Sequence, residues 1–309
     1  MNREKYIGGS DIAAICGVSP YKTLMQVYAE KKGLAAPFQG NERTESGQEL
    51  ESFIRDVKFK KKHPDLHAQL VMPDRITHPH YDFMAGVPDA VGDKFVLEIK
   101  SCGFHSFKKL YETDEAPDFV VCQANWYAML VEEAEGRDIE SIWIAVLGDT
   151  HLYREWNITK DGALISIMME QAIGFWENNI LANKPPEPDS SEHCTKALTA
   201  LYPKHVTESL DAGTGPETQL LLDLKGATED LKEAKEKVSG LENRIRAAIG
   251  SRIGIETDIC RVTWKDQEKI TLSRKDLLND PEVKQYITPE LKAKYTTVTQ
   301  MKVLRKKWL

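Results

Sequence analysis

"GVPDAVGDKFVLEIKSC", residues 86–102, decides how the rest of the chain is read. Phe95, Val96, Leu97 and Ile99 make an apolar run suited to a core strand, yet Glu98 and Lys100 interrupt it. The Gly92-Asp93-Lys94 step reads as a tight turn, so the segment folds back as a hairpin. That hairpin brings Asp89 toward Glu98. Side chains alternate along a strand, so Glu98 and Lys100 leave one face while Ile99 packs on the other. Two carboxylates at close range repel and lose hydration unless something positive lies between them. A hard divalent cation, most simply Mg²⁺, resolves the conflict, and the Ile99 carbonyl offers a further oxygen. An exposed hairpin whose Glu98 and Lys100 merely face solvent fits the same letters, and the spacing alone leaves both readings open.

Upstream, residues 10–32 read as two short helices. Ser10 or Asp11 caps the first, and Ser19-Pro20 starts the second. Residues 46–62, "SGQELESFIRDVKFKKK", read as an amphipathic helix with Leu50, Phe53, Ile54 and Val57 as its apolar stripe and Glu51 beside that stripe. "HAQLVMP", "DFMAGVPDAVG" and "KFVLEIKS" read as strands. Downstream, a helix is expected over about 117–134, carrying Gln123 among apolar neighbours. Strands "SIWIAVLGD" and "LYREWNIT" and the helix "DGALISIMMEQAIGFWENNI" complete the unit. Helices, a mostly antiparallel sheet, then helices again make an α/β or α+β layer architecture.

"ANKPPEPDSSE", residues 182–192, has the Pro/Ser-rich composition of a linker. The expected organisation is a core over 1–185, a linker over 186–216 and an extension over 217–309. In the extension, Leu224, Ala227, Leu231, Ala234, Val238, Leu241, Ile245 and Ala248 alternate three- and four-residue steps, a heptad seam on one helix. An ordinary packing helix, an intramolecular hairpin and an intermolecular coiled coil all fit that seam. A small β unit with a basic end follows.

The 309-residue chain is 41% hydrophobic and 29% charged, enough apolar mass for a real core. The net charge of −7 argues against a passive nucleic-acid coat. It leaves room for an enzyme that takes DNA in a local basic groove. The five cysteines are scattered with no C-x-x-C pair, which disfavours a zinc site or disulfide framework and reads as buried or half-buried thiols. No apolar run approaches the ~20 residues that span a bilayer. The N-terminal stretch lacks a secretory h-region, so a cytoplasmic location is expected.

Taken together the motifs resemble a known family. Pro88-Asp89, eight residues, then Glu98-Ile99-Lys100 is the PD-(D/E)xK pattern. "IGGSDIAAICGVSPYKTLMQVYAEKKG", "SGQELE", "GVPDAVGDKFVLEIKSC" and "QANWYAML" are similar, in order, to the N-terminal signature, the G-x-x-x-E helix, the catalytic hairpin and the Q-containing helix of the YqaJ-type viral recombinase nucleases, the phage lambda exonuclease family. The match covers roughly residues 3–180. The resemblance implies a restriction-endonuclease-like core, a mixed central sheet flanked by helices. It implies a Mg²⁺-dependent 5′→3′ exonuclease on linear double-stranded DNA, with Mn²⁺ as a substitute and two ions per site. The family's metal-binding acids fall on Glu51, Asp89 and Glu98 with the Ile99 main-chain oxygen, its active-site lysine on Lys100 and its helix glutamine on Gln123. Binding of the terminal 5′ phosphate would fall on Ser10 and Arg3. Val87 stands where the lambda protein has a small hydroxyl residue that helps hold phosphate.

Further DNA-backbone candidates are Lys108 and Lys109, beside His105, and the basic end formed by Lys302, Arg305, Lys306, Lys307 and Trp308. The resemblance also implies a ring-like trimer, a single-strand annealing protein as partner, and a phage or prophage origin. Rival readings are a structure- or site-specific endonuclease on the same core, a non-catalytic DNA-binding or scaffolding protein built on residues 217–250, and an iron–sulfur nuclease, which the cysteine spacing disfavours.

Overall fold

The expected turn at Gly92-Asp93-Lys94 forms, with the Gly92 N–H donating to the Phe95 carbonyl at 2.9 Å. The computed structural model describes residues 3–35, 40, 42–148, 152–202, 213, 215–266, 280–284 and 286–294. They fall into two units, 1–205 and 206–309.

Unit 1 begins with α1 (Gly9–Ile15) and α2 (Leu24–Lys31). α1 is capped differently from expectation. Gly8 is the N-cap, and the Asp11 carboxylate reaches back to its N–H at 3.1 Å. Ser10 plays no capping part. α2 starts at a reciprocal Thr23/Gln26 cap rather than at Ser19-Pro20, because the Ser19 hydroxyl is occupied by the N–H groups of Tyr21 and Lys22 in the preceding turn.

α3 (Glu42–Phe53) runs into a π-helical turn, Ile54–Phe59, and on into α4 (Lys60–Lys62) and α5 (Pro64–His67). A π turn inserts a residue and shifts the buried face. Ile54 and Phe59 are therefore buried, while Phe53 and Val57, expected on the stripe, are exposed. "HAQLVMP" is also not a strand. It pairs with the sheet through a Val71–Val91 bridge and packs Leu70 against it, while Val71 and Met72 face solvent.

Strands β1 (Ile76–Thr77) and β2 (Ala85–Gly86) pair antiparallel. β3 (Ala90–Val91) and β4 (Phe95–Cys102) are the hairpin arms, with Ala90 opposite Leu97. The single strand expected over "DFMAGVPDAVG" is broken at Val87-Pro88-Asp89, where Pro88 has no N–H to offer a ladder. α6 (Phe104–Thr113) and α7 (Asp118–Glu135) cross to β5 (Ser141–Gly148), which lies parallel to β4. β6 (Tyr153–Thr159) returns antiparallel, giving the order β3-β4-β5-β6. The sheet is thus mixed, as expected: two of its three pairings are antiparallel, and the central β4–β5 pairing is parallel. Parallel neighbours need a long crossover connection, which α6 and α7 supply between β4 and β5.

Two apolar layers hold this sheet. Val96, Ile142, Ile144 and Val146 pack with Trp126, Leu130 and the residues of α1 and α2. Leu97, Ile99, Ala145 and Leu147 pack with Ile54 and Phe59 on the other side. α8 (Gly162–Phe175) closes the first layer, its N-cap Asp161 accepting from the Ala163 and Leu164 N–H groups. α9 (Glu192–Leu201) lies where a linker was expected. Its Cys194 and Ala197 are buried against Met25 of α2, so that stretch belongs to unit 1. Cys16, Cys102 and Cys122 are likewise buried or half-buried, but Cys260 is exposed, contrary to expectation.

In unit 2, α10 (Gly215–Ile249) is the expected heptad helix, followed by an antiparallel hairpin of β7 (Gly254–Glu256) and β8 (Arg261–Thr263). The short helices Pro281–Lys284 and Pro289–Lys294 follow. The expected basic end, Lys302, Arg305, Lys306, Lys307 and Trp308, lies outside the described residues. No described helix is long and apolar enough to cross a membrane.

The N-terminus is pinned by a buried ion cluster. Asp11, fully buried, accepts from Lys31 at 2.6 Å and from Lys22 at 2.7 Å, and Lys31 also donates to the Arg3 carbonyl at 2.7 Å. Burial alone would raise the Asp11 pKa, but Lys22, Lys31 and Arg3 outweigh it and hold it well below the carboxylate range. For Lys31 the balance is reversed, and burial outweighs Asp11 and lowers its pKa. Replacing Asp11 by Asn leaves buried Lys31 without its counter-charge and is expected to cost about 3–5 kcal/mol in denaturant unfolding at neutral pH. A depressed folded-state pKa gives stability that is present above the unfolded value and lost below it. The gap between wild type and Asp11→Asn therefore narrows as pH falls below about 4.

Candidate active site

β4 carries the central feature. Phe95, Leu97 and Ile99 belong to one apolar layer and Val96 to the other, so the pleat sends Glu98 and Lys100 to the α7 side. Glu98 is completely buried. One of its oxygens, Oε1, accepts from the Lys100 ammonium, while Oε2 has no hydrogen-bond partner among the described residues. Asp89, at the break between β2 and β3, is held by a 2.6 Å bond from the Ile99 N–H to its Oδ2.

The electrostatics follow from this crowding. Burial pushes the Glu98 pKa up to about 8, and neighbouring Asp89 adds to the rise against the opposing pull of Lys100. Burial raises Asp89 too, despite Lys100 and the Ile99 N–H. Glu51, half-buried on α3, is raised by burial and then by Asp89, although the Arg55 guanidinium lies 3.8 Å from it. Burial would lower Lys100, but Glu98, Asp89 and Glu51 outweigh it and raise its pKa. The ammonium thus stands among three acids that favour its charged form.

These groups border one cleft of about 550 Å³. Its walls include Glu51, Asp89, Ile99, Lys100 and Gln123, and also Arg3 and Ser10, joined by a 2.9 Å bond from the Arg3 guanidinium to the Ser10 hydroxyl. Glu98 lies beneath this surface and reaches it through Lys100. Val87 also lines the cleft. The elements thus bring Glu51, Asp89, Ile99, Lys100, Gln123, Ser10 and Arg3 together. Lys108 does not join them; it sits exposed on α6, 3.7 Å from Glu112. The side chains of Lys109 and His105 lie outside the described residues.

The acids supply the hard oxygen donors that a Mg²⁺-like ion takes, and the unpartnered Glu98 Oε2 is an acceptor with nothing to accept from. The residues therefore fit such an ion in kind. Among the described residues, however, no three His, Cys, Asp or Glu side chains are gathered into a ready cage. Asp89 is tied to the Ile99 N–H and Glu98 to Lys100, so the acids share a field without sharing a coordination shell.

Tyr127 is the residue missed in the sequence. It follows Gln123 by one helical turn, and its hydroxyl accepts from the Gln123 amide at 3.1 Å. Burial, then Glu98 and Asp89, push its pKa well up, which keeps it a neutral hydroxyl. The four-residue spacing inside "QANWYAML" was the available signal. Gly9 and Gly86 make room for it. A Cβ on Gly86 would stand 2.5 Å from the Tyr127 ring, and one on Gly9 would stand 2.7 Å from both Tyr127 and Gln123.

The comparisons agree with the motifs. Residues 1–134 match the model of the YqaJ-like viral recombinase domain. The chain is 26% identical over 257 residues to the uncharacterized protein YqaJ of Bacillus subtilis (strain 168), covering 80% of this chain and 76% of that one. Among solved structures, an alkaline exonuclease, LHK-Exo, from Laribacter hongkongensis aligns at 16% identity and a TM-score of 0.47, over 58% of this chain and 90% of its own. A phage-related exonuclease from Haemophilus somnus 129PT aligns at 13% identity and a TM-score of 0.43, over 58% and 96%. The match over residues 1–134 and the Bacillus subtilis relative bear out the resemblance to the YqaJ-type viral recombinases over the part that carries the cleft.

The Gly86–Tyr127 contact is testable. Gly86→Ala overpacks the cleft wall and is expected to lower unfolding free energy by about 1–3 kcal/mol. In a Tyr127→Ala background the same change costs less, because the ring that the new Cβ meets is gone. A chemical-denaturation double-mutant cycle reads the difference.

Proposed function

We propose that this protein is a divalent-metal-dependent 5′→3′ exonuclease on linear double-stranded DNA, leaving 3′ single-stranded ends for recombination by strand annealing. The observation that carries the reading is the meeting of Asp89, Glu98 and Lys100 at one strand, with Glu51 and Gln123 across the same cleft and a buried carboxylate oxygen left unpartnered. The match of residues 1–134 to the viral recombinase domain supports the choice of DNA as substrate.

In this reading Asp89, Glu98 and the Ile99 carbonyl hold one ion, and Glu51 reaches a second. When bound, Mg²⁺ or Mn²⁺ supplies Lewis-acid charge at the scissile phosphate and lowers the pKa of a nearby water. Lys100, kept protonated by the acids around it, orients the attacking water and offsets charge growing on the phosphate oxygens. Gln123, steadied by Tyr127, fixes the far side of that arrangement. Arg3 and Ser10 hold the terminal 5′ phosphate in the same cleft, through a guanidinium and a hydroxyl already bonded to one another. Val87 contributes no hydroxyl there, so the preference for a phosphorylated end rests on those two groups. A ring-like trimer and an annealing partner are part of the same proposal.

Two expected outcomes test it. Asp89→Ala and Lys100→Ala each abolish digestion of end-labelled linear duplex, and Asp89→Ala also weakens Mn²⁺ binding in calorimetry while Lys100→Ala does not. Near-normal turnover in Asp89→Ala removes the assignment, and cutting of covalently closed circles replaces it with the endonuclease reading. Separately, Arg3→Ala raises KM for 5′-phosphorylated ends with kcat nearly kept, and it narrows the difference between phosphorylated and hydroxyl ends. Unchanged end preference removes Arg3 from phosphate binding.

A further inference from the structure

α10 spans 35 residues, and Ile249 is its one buried residue. Leu220, Leu231, Val238, Leu241 and Ile245 of its seam are exposed. A helix normally draws its stability from burying such a stripe, and an exposed contiguous one marks an interaction surface. In heptad terms Leu224, Leu231, Val238 and Ile245 occupy a, and Leu220, Ala227, Ala234, Leu241 and Ala248 occupy d. The flanking g positions carry Asp223, Asp230, Lys237 and Arg244, acidic toward one end and basic toward the other.

We propose that α10 pairs with α10 of a second copy of this chain as an antiparallel two-stranded coiled coil, its two-fold axis passing between Lys232 and Glu233. The pattern is self-complementary under that operation. Asp230 meets Lys237 of the second copy and Asp223 meets Arg244, and the symmetry repeats both pairs. No like charges face each other at g, and Asp230, Lys237 and Arg244 have no ion pair within the chain among the described residues. The core layers close in the same register. Leu220 stacks on Ile245 of the second copy, Leu224 on Leu241, Ala227 on Val238, and Leu231 on Ala234. Every alanine in these layers is met by a larger residue.

Charge alone does not choose the orientation. In a parallel pair Asp230 would face Lys235, and Lys237 would face Glu242, also favourably. Packing chooses. Parallel pairing would stack Ala227, Ala234 and Ala248 each on its own copy, leaving thin layers that lose apolar contact. A self-complementary charge gradient has meaning for a second copy, whereas an unrelated partner would not require it.

The test is the mass of the full chain in solution, by light scattering and sedimentation over a concentration series. Wild type is expected at twice the mass of the Leu231→Glu/Val238→Glu variant: two rings joined through α10 against one ring where unit 1 forms the proposed trimer, or a dimer against a monomer where unit 1 does not self-associate. Asp230→Lys and Lys237→Asp each weaken the association by roughly tenfold. The double swap Asp230→Lys/Lys237→Asp restores it, because the cross-copy pairs re-form with reversed sign. These swaps retain helix-forming residues, and equal far-UV circular dichroism shows that lost association is not unfolding. An unchanged mass in Leu231→Glu/Val238→Glu overturns the proposal. So does a double swap weaker than either single, the result for parallel helices, where both changes create like-charge pairs.

Discussion

The structure depends on one strand burying an acid bonded to a lysine. Glu98 is enclosed between two apolar layers, and a carboxylate there costs several kcal/mol unless charge compensates it. Lys100, two residues along and on the same face, is the compensation that the pleat permits. The neighbouring backbone completes the arrangement, since the Ile99 N–H ties Asp89 to the same strand. A sheet with β5 parallel to β4 and covered on both faces is what keeps water from relaxing these charges.

Around this strand the chain uses rigid supports. The Asp11–Lys31–Lys22 cluster fixes the N-terminal segment through both the Gly8 N–H and the Arg3 carbonyl, so the Arg3 guanidinium and the Ser10 hydroxyl are presented from a braced backbone. α7 brings Gln123 and Tyr127 to the cleft from a helix whose Trp126 and Leu130 are fully buried, and the glycines at 9 and 86 allow the tyrosine to approach the backbone. Each polar group at the cleft is thus borne by an element anchored in a core, which is how a site keeps its geometry without its ligands.

What was legible in the sequence was local and periodic. The strand alternation of 95–102, the Gly92 turn, the long α7 and the heptads of α10 all come from spacing, and all are in the structure. What was not legible needed distant partners or a broken period. The π turn at Ile54–Phe59 exchanges Val57 for Phe59 on the buried face, and a 3.6-residue template has no means to foresee that slip. Asp11 reads as a helix cap until Lys31, twenty residues on, is seen to bond it. Leu70-Val71-Met72 has strand composition, but the sheet offers it one bridge, and composition cannot tell an edge from a centre. Of the site, the acids and Lys100 were visible as a motif; Tyr127 was present in the spacing but silent, because a tyrosine on an apolar helix usually signifies packing alone.

The charges at the sheet end do not close on themselves. Lys100 bonds Glu98, Arg55 leans on Glu51 at 3.8 Å, and Asp89 is bonded by a backbone N–H, which carries no net charge. Burial therefore raises the pKa of all three acids even with those partners in place. A merely structural ion cluster does the opposite, as Asp11 shows in the same chain: buried as completely as Glu98, it is held far below its ordinary pKa by the cations around it. One protein thus holds two buried acid sites, one matched by cations and one not. The satisfied one braces the fold, and the unsatisfied one lies against the cleft, where positive charge from outside the chain has access to it.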